Sequence, residues 1–153
     1  MHSNVALLQR LYTSLNQRAA GLMAECYHPA ATFHDIAFDL KDKDEIRAMW
    51  EMICSGDIST TFEVVSADDR EGVVQLVDEY TFRETGRKVR NPIESRFRFQ
   101  DGLIIEHRDT CDARAWAAAA LGGVSGFLAG RLHFLRAWKA RAMLRPFLRR
   151  SPG

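Results

Sequence analysis

Residues 91–116, NPIESRFRFQDGLIIEHRDTCDARAW, constrain this chain more than any other stretch. They read as strand, Asp-Gly turn, strand, helix. Asp-Gly between two alternating runs is a strong hairpin signal. Successive strand residues point to opposite faces. Over 88–100 the odd positions Val89, Asn91, Ile93, Ser95, Phe97 and Phe99 form the inner face, with Arg90, Pro92, Glu94, Arg96, Arg98 and Gln100 outside. Over 103–111 the odd positions are Leu103, Ile105, His107, Asp109 and Cys111. That places a histidine and an aspartate one pleat apart on a face that should be apolar. Polar groups there cost free energy unless they are paired or used.

The remaining elements predict what covers this sheet. Val5, Leu8, Leu11, Tyr12 and Leu15 follow helical spacing, and a short second helix fits 19–27, ended by Pro29. Residues 31–35 read as a strand with Phe33 and Asp35 on one face and His34 on the other. Asp42 is an N-cap with Glu45 three residues on, a capping box. Ile46, Met49, Trp50 and Ile53 form the apolar stripe of the helix that follows. From Ser59 the period falls to two, giving strands at 60–67 and 73–83. In the latter, the even positions Val74, Leu76, Asp78, Tyr80 and Phe82 form the greasier face. Asp112 caps a helix over 113–121. Helices first and a meander after them predict an α+β fold, with three N-terminal helices on one face of an antiparallel sheet.

A chain of 153 residues is most simply one domain with a tail. We expect residues 1–122 to form that domain and 123–153 a basic helical extension. All 20 acidic residues lie at or before Asp112, whereas eight of the 21 Lys and Arg follow it. The tail reads as a basic helix over 132–148, with Phe134, Leu135, Trp138 and Leu148 among arginines and Pro146 limiting it. Such a helix can dock on the acidic domain or lie on an anionic membrane surface, and docking is preferred. No recognised motif accompanies the basic stretch, so nucleic acid is not an expected partner. Cys26, Cys54 and Cys111 match no zinc spacing, and their odd number argues against a disulfide framework. There is no phosphate loop or nucleotide fingerprint, so neither metal nor cofactor is expected. No signal peptide is visible and no apolar run reaches the roughly 18 residues of a membrane span, so the cytoplasm is the expected compartment.

The inward faces together collect Asp35, Asp78, Asn91, Ser95, His107 and Asp109, with Tyr12, Trp50, Tyr80, Phe97 and Trp116 as walls. An apolar cavity with a few convergent polar groups is the usual form of a small-molecule site. Carboxyls there can serve as acid or base. The plainer reading makes His107 and Asp109 a satisfied buried pair and the tryptophans ordinary core.

Four segments in this order, LLQRLYTSLN, HPAATFHD, KDEIRAMW and FRFQDGLIIEHRDTCDARAWAAAALG, resemble the SnoaL-like branch of the nuclear transport factor 2-like superfamily. The resemblance covers about residues 5–122 and implies a cone-shaped α+β barrel with a deep pocket, commonly a homodimer through the outer sheet face. The superfamily holds ketosteroid isomerase, limonene epoxide hydrolase, polyketide cyclases, dehydratases and non-catalytic binders, so the fold does not settle function. Likeness to ketosteroid isomerase places its base at Asp35. It puts its oxyanion tyrosine at Leu11 and its second acid near Glu94 or Ser95, so that donor pair is missing. Likeness to epoxide hydrolase matches Asp109 to one catalytic aspartate and puts the second at Asp78 or Glu79, with its arginine replaced near Leu76. Likeness to polyketide cyclases makes His107 and Asp109 the acid–base pair.

The expectation is therefore a pocket protein for a small apolar ligand. If it is an enzyme, it performs cofactor-independent isomerisation, cyclisation, dehydration or epoxide hydrolysis. Asp109 is then base or acid, His107 its partner, and Asp35 or Asp78 the second carboxyl. The alternative is a non-catalytic ligand-binding or interaction module.

Overall fold

Helical periodicity gives way to strand alternation once along this chain, and the architecture follows that order. The computed structural model describes residues 2–122 and 144–148. The elements are α1 (Ser3–Asn16), α2 (Ala20–Ala24), β1 (Tyr27–His34), β2 (Asp39–Leu40), α3 (Lys43–Cys54), β3 (Ser59–Ala67), β4 (Glu71–Phe82), β5 (Arg87–Gln100), β6 (Leu103–Thr110) and α4 (Ala113–Leu121). The fold is α+β. Among the described residues the strands form one curved sheet in the order β2-β1-β6-β5-β4-β3. Every neighbouring pair is antiparallel except β1 and β6, which run parallel. The sheet does not close, so the barrel implied by the resemblance is an open cone with β2 and β3 at its edges.

The helices fill the concave side because their stripes are apolar. Leu8, Leu11, Tyr12 and Leu15 of α1 are buried, as are Ile46, Ala48, Met49 and Trp50 of α3. Each fully buried large side chain contributes roughly 1.5–3 kcal/mol of transfer free energy. Asn16 clasps α1 to β3: its Nδ2 donates to the Thr60 carbonyl at 2.9 Å, and its Oδ1 accepts from the Thr60 N–H at 2.8 Å. The N-cap before α3 forms as expected, but Glu45 reaches the N–H one residue ahead of the cap rather than that of Asp42 itself. Asp42 Oδ1 accepts from Glu45 N–H at 2.9 Å, and Glu45 Oε1 accepts from Lys41 N–H at 2.9 Å. Asp112 Oδ1 caps α4 through the N–H groups of Arg114 and Ala115 at 3.0 and 3.1 Å.

Two details differ from the sequence reading. Residues 19–27 do not form one helix: α2 stops at Ala24, and Tyr27 begins β1, with Pro29 inside the strand. The alternation of β6 also changes phase. The β5–β6 turn at Asp101 and Gly102 has φ of 56° and 75°, the left-handed pair that a tight hairpin needs. Just beyond it the register slips between Arg98, opposite Glu106, and Phe99, opposite Ile104. A bulge of this kind inserts one extra residue and flips the faces before it. Ile104 is consequently fully buried beneath the same face as His107, whereas Leu103 and Ile105 are only half-buried.

Of the basic helix predicted over 132–148, residues 144–148 are described. They are helical, and Leu144 is fully buried in the main core, with Phe147 and Leu148 packed against it. The rest of that helix, and with it most of the 123–153 unit, lies outside the described residues. No described helix is long and apolar enough to cross a membrane.

Candidate active site

Strand pairing assembles the centre of the site. On β6, His107 faces Phe97 of β5 and Phe33 of β1, and Asp109 faces Ser95 of β5. Side chains directly opposite on one face are within contact distance, so Ser95 reaches Asp109, and His107 adjoins it one pleat away on the same strand. The Ser95 hydroxyl donates to Asp109 Oδ1. His107 Nε2 lies 2.7 Å from the same oxygen. Behind them, the Tyr12 hydroxyl donates to Ser95 Oγ at 2.9 Å.

The other ring nitrogen of His107 lies 2.8 Å from the Tyr27 hydroxyl, which in turn accepts from Trp50 Nε1 at 3.2 Å. An indole N–H can only donate, and a phenol has one proton. The arrangement satisfying every buried group is Trp50 to Tyr27, Tyr27 to His107 Nδ1, and His107 Nε2–H to Asp109 Oδ1. His107 is thereby a neutral imidazole protonated at Nε2. Its ring is fully buried, 4.7 Å from Phe33 and 4.3 Å from Phe97 between centroids.

In front of Asp109 opens a cavity of about 480 Å³, bounded by the sheet, α3 and α4. Small-molecule sites usually span about 300–1,000 Å³. Its walls are mostly apolar, Phe33, Ile36, Phe38, Trp50, Ile53, Ile58, Ile93 and Trp116 among them. Asp35, Asp78, Tyr80, Asn91 and Asp109 interrupt them, as do Asp57, Thr81, Arg83 and Glu84. Since both donors to Asp109 reach Oδ1 from behind, Oδ2 is the oxygen left for whatever occupies the cavity.

The other two carboxyls differ from Asp109 and from each other. Asp35 follows β1 and closes the turn to β2. Its Oδ1 accepts from Ala37 and Phe38 N–H at 2.7 and 2.6 Å. Burial raises the Asp35 pKa to about 6, helped by the charge of Asp109 and opposed by those two hydrogen bonds. Asp78 pairs across the sheet with Thr60 on one side and Asn91 on the other. Its Oδ1 is buried and has no hydrogen-bond partner among the described residues. Burial and then the charge of Asp109 raise its pKa to about 7, against a lowering by the Thr60 hydroxyl. Tyr80 accepts from Trp116 Nε1 at 2.6 Å, and burial pushes its phenol up to about 12.

Of the residues expected at the site, Asp35, Trp50, Asp78, Tyr80, Asn91, Asp109 and Trp116 line the cavity. His107, Tyr12, Ser95 and Phe97 do not reach it and form the layer behind Asp109. Leu11 and Leu76 are buried core residues, Glu79 is exposed, and Glu94 lies on the outer face 2.6 Å from Arg96. Tyr27 was missed because it was assigned to the end of a helix. Its odd number, shared with Ala31 and Phe33, was the available signal. Ile36, Phe38 and Ile58 were missed as walls because they sit in short connections without periodicity.

The arrangement resolves into one aspartate tethered from behind with a free oxygen and one desolvated aspartate favouring its proton, both facing an apolar space.

Comparison with known proteins agrees with this architecture. No curated protein matches the chain significantly. A protein from Jannaschia sp. CCS1, provisionally described as a SnoaL-like polyketide cyclase, superposes with a TM-score of 0.67 at 20% identity, over 79% of this chain and 93% of its own. An epoxide hydrolase of M. tuberculosis described as LEH-like superposes with a TM-score of 0.61 at 12% identity, over 87% and 95%. SalBIII, an epoxide hydrolase/cyclase-like enzyme of pyran ring formation in polyether salinomycin, gives 0.64 at 14%, over 71% and 90%. At these identities the likeness is one of fold. The family model of the SnoaL-like domain matches residues 8–107, and the chain belongs to that family.

Proposed function

We propose that this protein is a cofactor-independent acid–base enzyme acting on a small, mostly apolar molecule held in the cone. The observation that carries the reading is that Asp109 and Asp78 face one apolar cavity in different hydrogen-bonding states. Asp109 Oδ2 takes a proton from the substrate, and Asp78 in its protonated form gives one to the oxygen on which charge develops. His107 and Ser95 hold Asp109 in place without touching the substrate. Positioned proton transfer of this kind typically contributes about 10²–10⁴-fold in rate.

The reaction class follows from what surrounds the pair. Leu76 stands where the epoxide-hydrolase likeness would put a water-orienting arginine. A substrate that supplies its own nucleophile or its own acidic C–H suits the site better than attack by water. Isomerisation and ring closure are therefore preferred to hydrolysis, in line with the cyclase chemistry named for SalBIII. Self-association through the outer sheet face and a cytoplasmic setting accompany the proposal as expectations of the resemblance.

The test is turnover of a panel of β,γ-unsaturated ketones, hydroxy-epoxides and simple epoxides by wild type and by Asp109→Asn. The expected result is turnover of at least one member of the first two classes and loss in the variant. Binding of panel members with identical, uncatalysed rates in both proteins would leave a non-catalytic ligand-binding module.

A further inference from the structure

We propose that the Tyr80 hydroxyl, held by the Trp116 indole, is the docking point for a hydrogen-bond-accepting oxygen on the ligand: a ketone, ether or epoxide oxygen carried by an otherwise apolar body. The inference rests on the functional reading above only in placing the ligand in the same cavity.

The donor inventory points to it. Trp116 Nε1 donates to Tyr80 Oη at 2.6 Å. That bond consumes a lone pair of the phenol and leaves its proton to give. Among the described residues no hydrogen bond takes that proton, although Tyr80 lines the cavity. Burial keeps the phenol protonated, with a pKa of about 12. Tyr80 is thus a permanent donor with fixed orientation. The orientation is set by the same hairpin that carries Tyr80. Between β4 and β5, the Thr85 hydroxyl donates to the Ala120 carbonyl and Arg87 Nε donates to the Ala119 carbonyl at 2.8 Å, fastening the end of α4. Phe82 meets Trp116 edge to face at 5.5 Å and fixes the indole ring.

Charge selects the ligand class. Asp35, Asp57, Asp78, Glu84 and Asp109 line the cavity against one guanidinium among its lining residues, Arg83, so the acidic balance disfavours an anion. A cation would seek acceptors and leave the Tyr80 proton unused. A neutral oxygen acceptor completes Tyr80 and leaves the carboxyls to their own chemistry, while Ile93, Leu121 and the indole face suit a hydrocarbon frame.

The experiment uses three probes of one shape: 2-acetylnaphthalene, 2-ethylnaphthalene and protonated 1-(2-naphthyl)ethylamine. In wild type the ketone binds more tightly than the hydrocarbon, and its carbonyl stretch moves to lower frequency on binding. Tyr80→Phe should weaken the ketone roughly five- to tenfold, the worth of one neutral hydrogen bond. It should abolish the frequency shift and leave binding of the hydrocarbon unchanged, which also reports an intact cavity. Should Tyr80→Phe misfold, 3-fluorotyrosine at position 80 supplies a stronger donor of the same shape and should deepen the shift. A shift that survives Tyr80→Phe, an unchanged frequency with fluorotyrosine, or tightest binding by the ammonium probe would overturn the proposal. The readout is binding, so a protein that binds the ketone through Tyr80 yet turns over nothing refutes the catalytic reading alone.

Discussion

His107 Nε2–H donates to Asp109 Oδ1 across 2.7 Å from a fully buried ring, and the same oxygen accepts the Ser95 hydroxyl. The histidine is out of reach of any ligand in the cavity. In the proposed mechanism it positions the aspartate and does not touch the substrate.

Replacing Asp109 by Asn therefore separates chemistry from structure. The amide oxygen of Asn can still accept from His107 and Ser95, but the group facing the cavity becomes an NH2. We expect turnover to fall by about 10²–10⁴-fold, with thermal unfolding shifted only slightly. Comparing initial rates and melting curves of the two proteins decides it, and an unchanged rate removes Asp109 from the mechanism.

The protonation of His107 is itself measurable. Two-bond 1H–15N correlation of the imidazole should show one protonated nitrogen, Nε2, and one unprotonated acceptor, Nδ1, at pH 7. A ring protonated at both nitrogens would contradict the Trp50–Tyr27–His107 chain. His107→Phe should cost about 2–4 kcal/mol in urea unfolding, because it strands the Tyr27 hydroxyl and half of the Asp109 support in the interior.

Asp78 couples the site to pH. Its folded pKa is raised to about 7 from an ordinary value of 3.8, mainly by burial. Between those values the folded protein binds more protons than the unfolded chain. Stability is then fully present below the ordinary value and lost as pH rises through about 7. Asp35, raised to about 6, acts in the same direction. We expect wild type to unfold more easily at pH 8 than at pH 5. Asp78→Asn should flatten that dependence and gain on the order of 2 kcal/mol at pH 8. Under the proposed mechanism Asp78 is the acid, so the rate should fall as pH rises through about 7. Urea midpoints and pH–rate profiles for both proteins test the two limbs, and a wild type more stable at pH 8 than at pH 5 would negate the assignment.

Gly72 carries a purely steric prediction. A Cβ there would lie 2.9 Å from Leu8 Cδ1 and 3.0 Å from Phe99 Cζ, both in the core where α1 meets the sheet. Gly72→Ala should destabilise the fold by about 1–3 kcal/mol, the usual cost of overpacking. Chemical denaturation measures it, and a neutral substitution would show that α1 can yield.

Alternation alone revealed the central pair in the sequence. Residues 88–100 split cleanly by parity, and the same counting put His107 and Asp109 inward. It failed at Ile104 because the bulge beside Arg98 adds a residue, and nothing in LIIEH distinguishes a bulged run of aliphatics from a regular one. Parity also cannot measure depth. Ser95, Phe97 and Tyr12 do face inward, but they lie in the layer behind Asp109 and do not line the cavity. Asp35 was placed on the correct face, yet its carboxyl is partly occupied in holding the turn to β2, which only backbone geometry discloses. The pairing of Trp116 with Tyr80 joins elements 36 residues apart and left no local trace.

The bonds that aim Asp109 also tie the domain together. Running from Trp50 through Tyr27, His107, Asp109 and Ser95 to Tyr12, they link α3, β1, β6, β5 and α1. A library screened only for soluble expression should then enrich wild-type residues at several of these positions, although the screen never asks for turnover. Under the proposed function Asp109 is the member at which the two demands part, since an amide there can accept the same hydrogen bonds but cannot take a proton from the substrate.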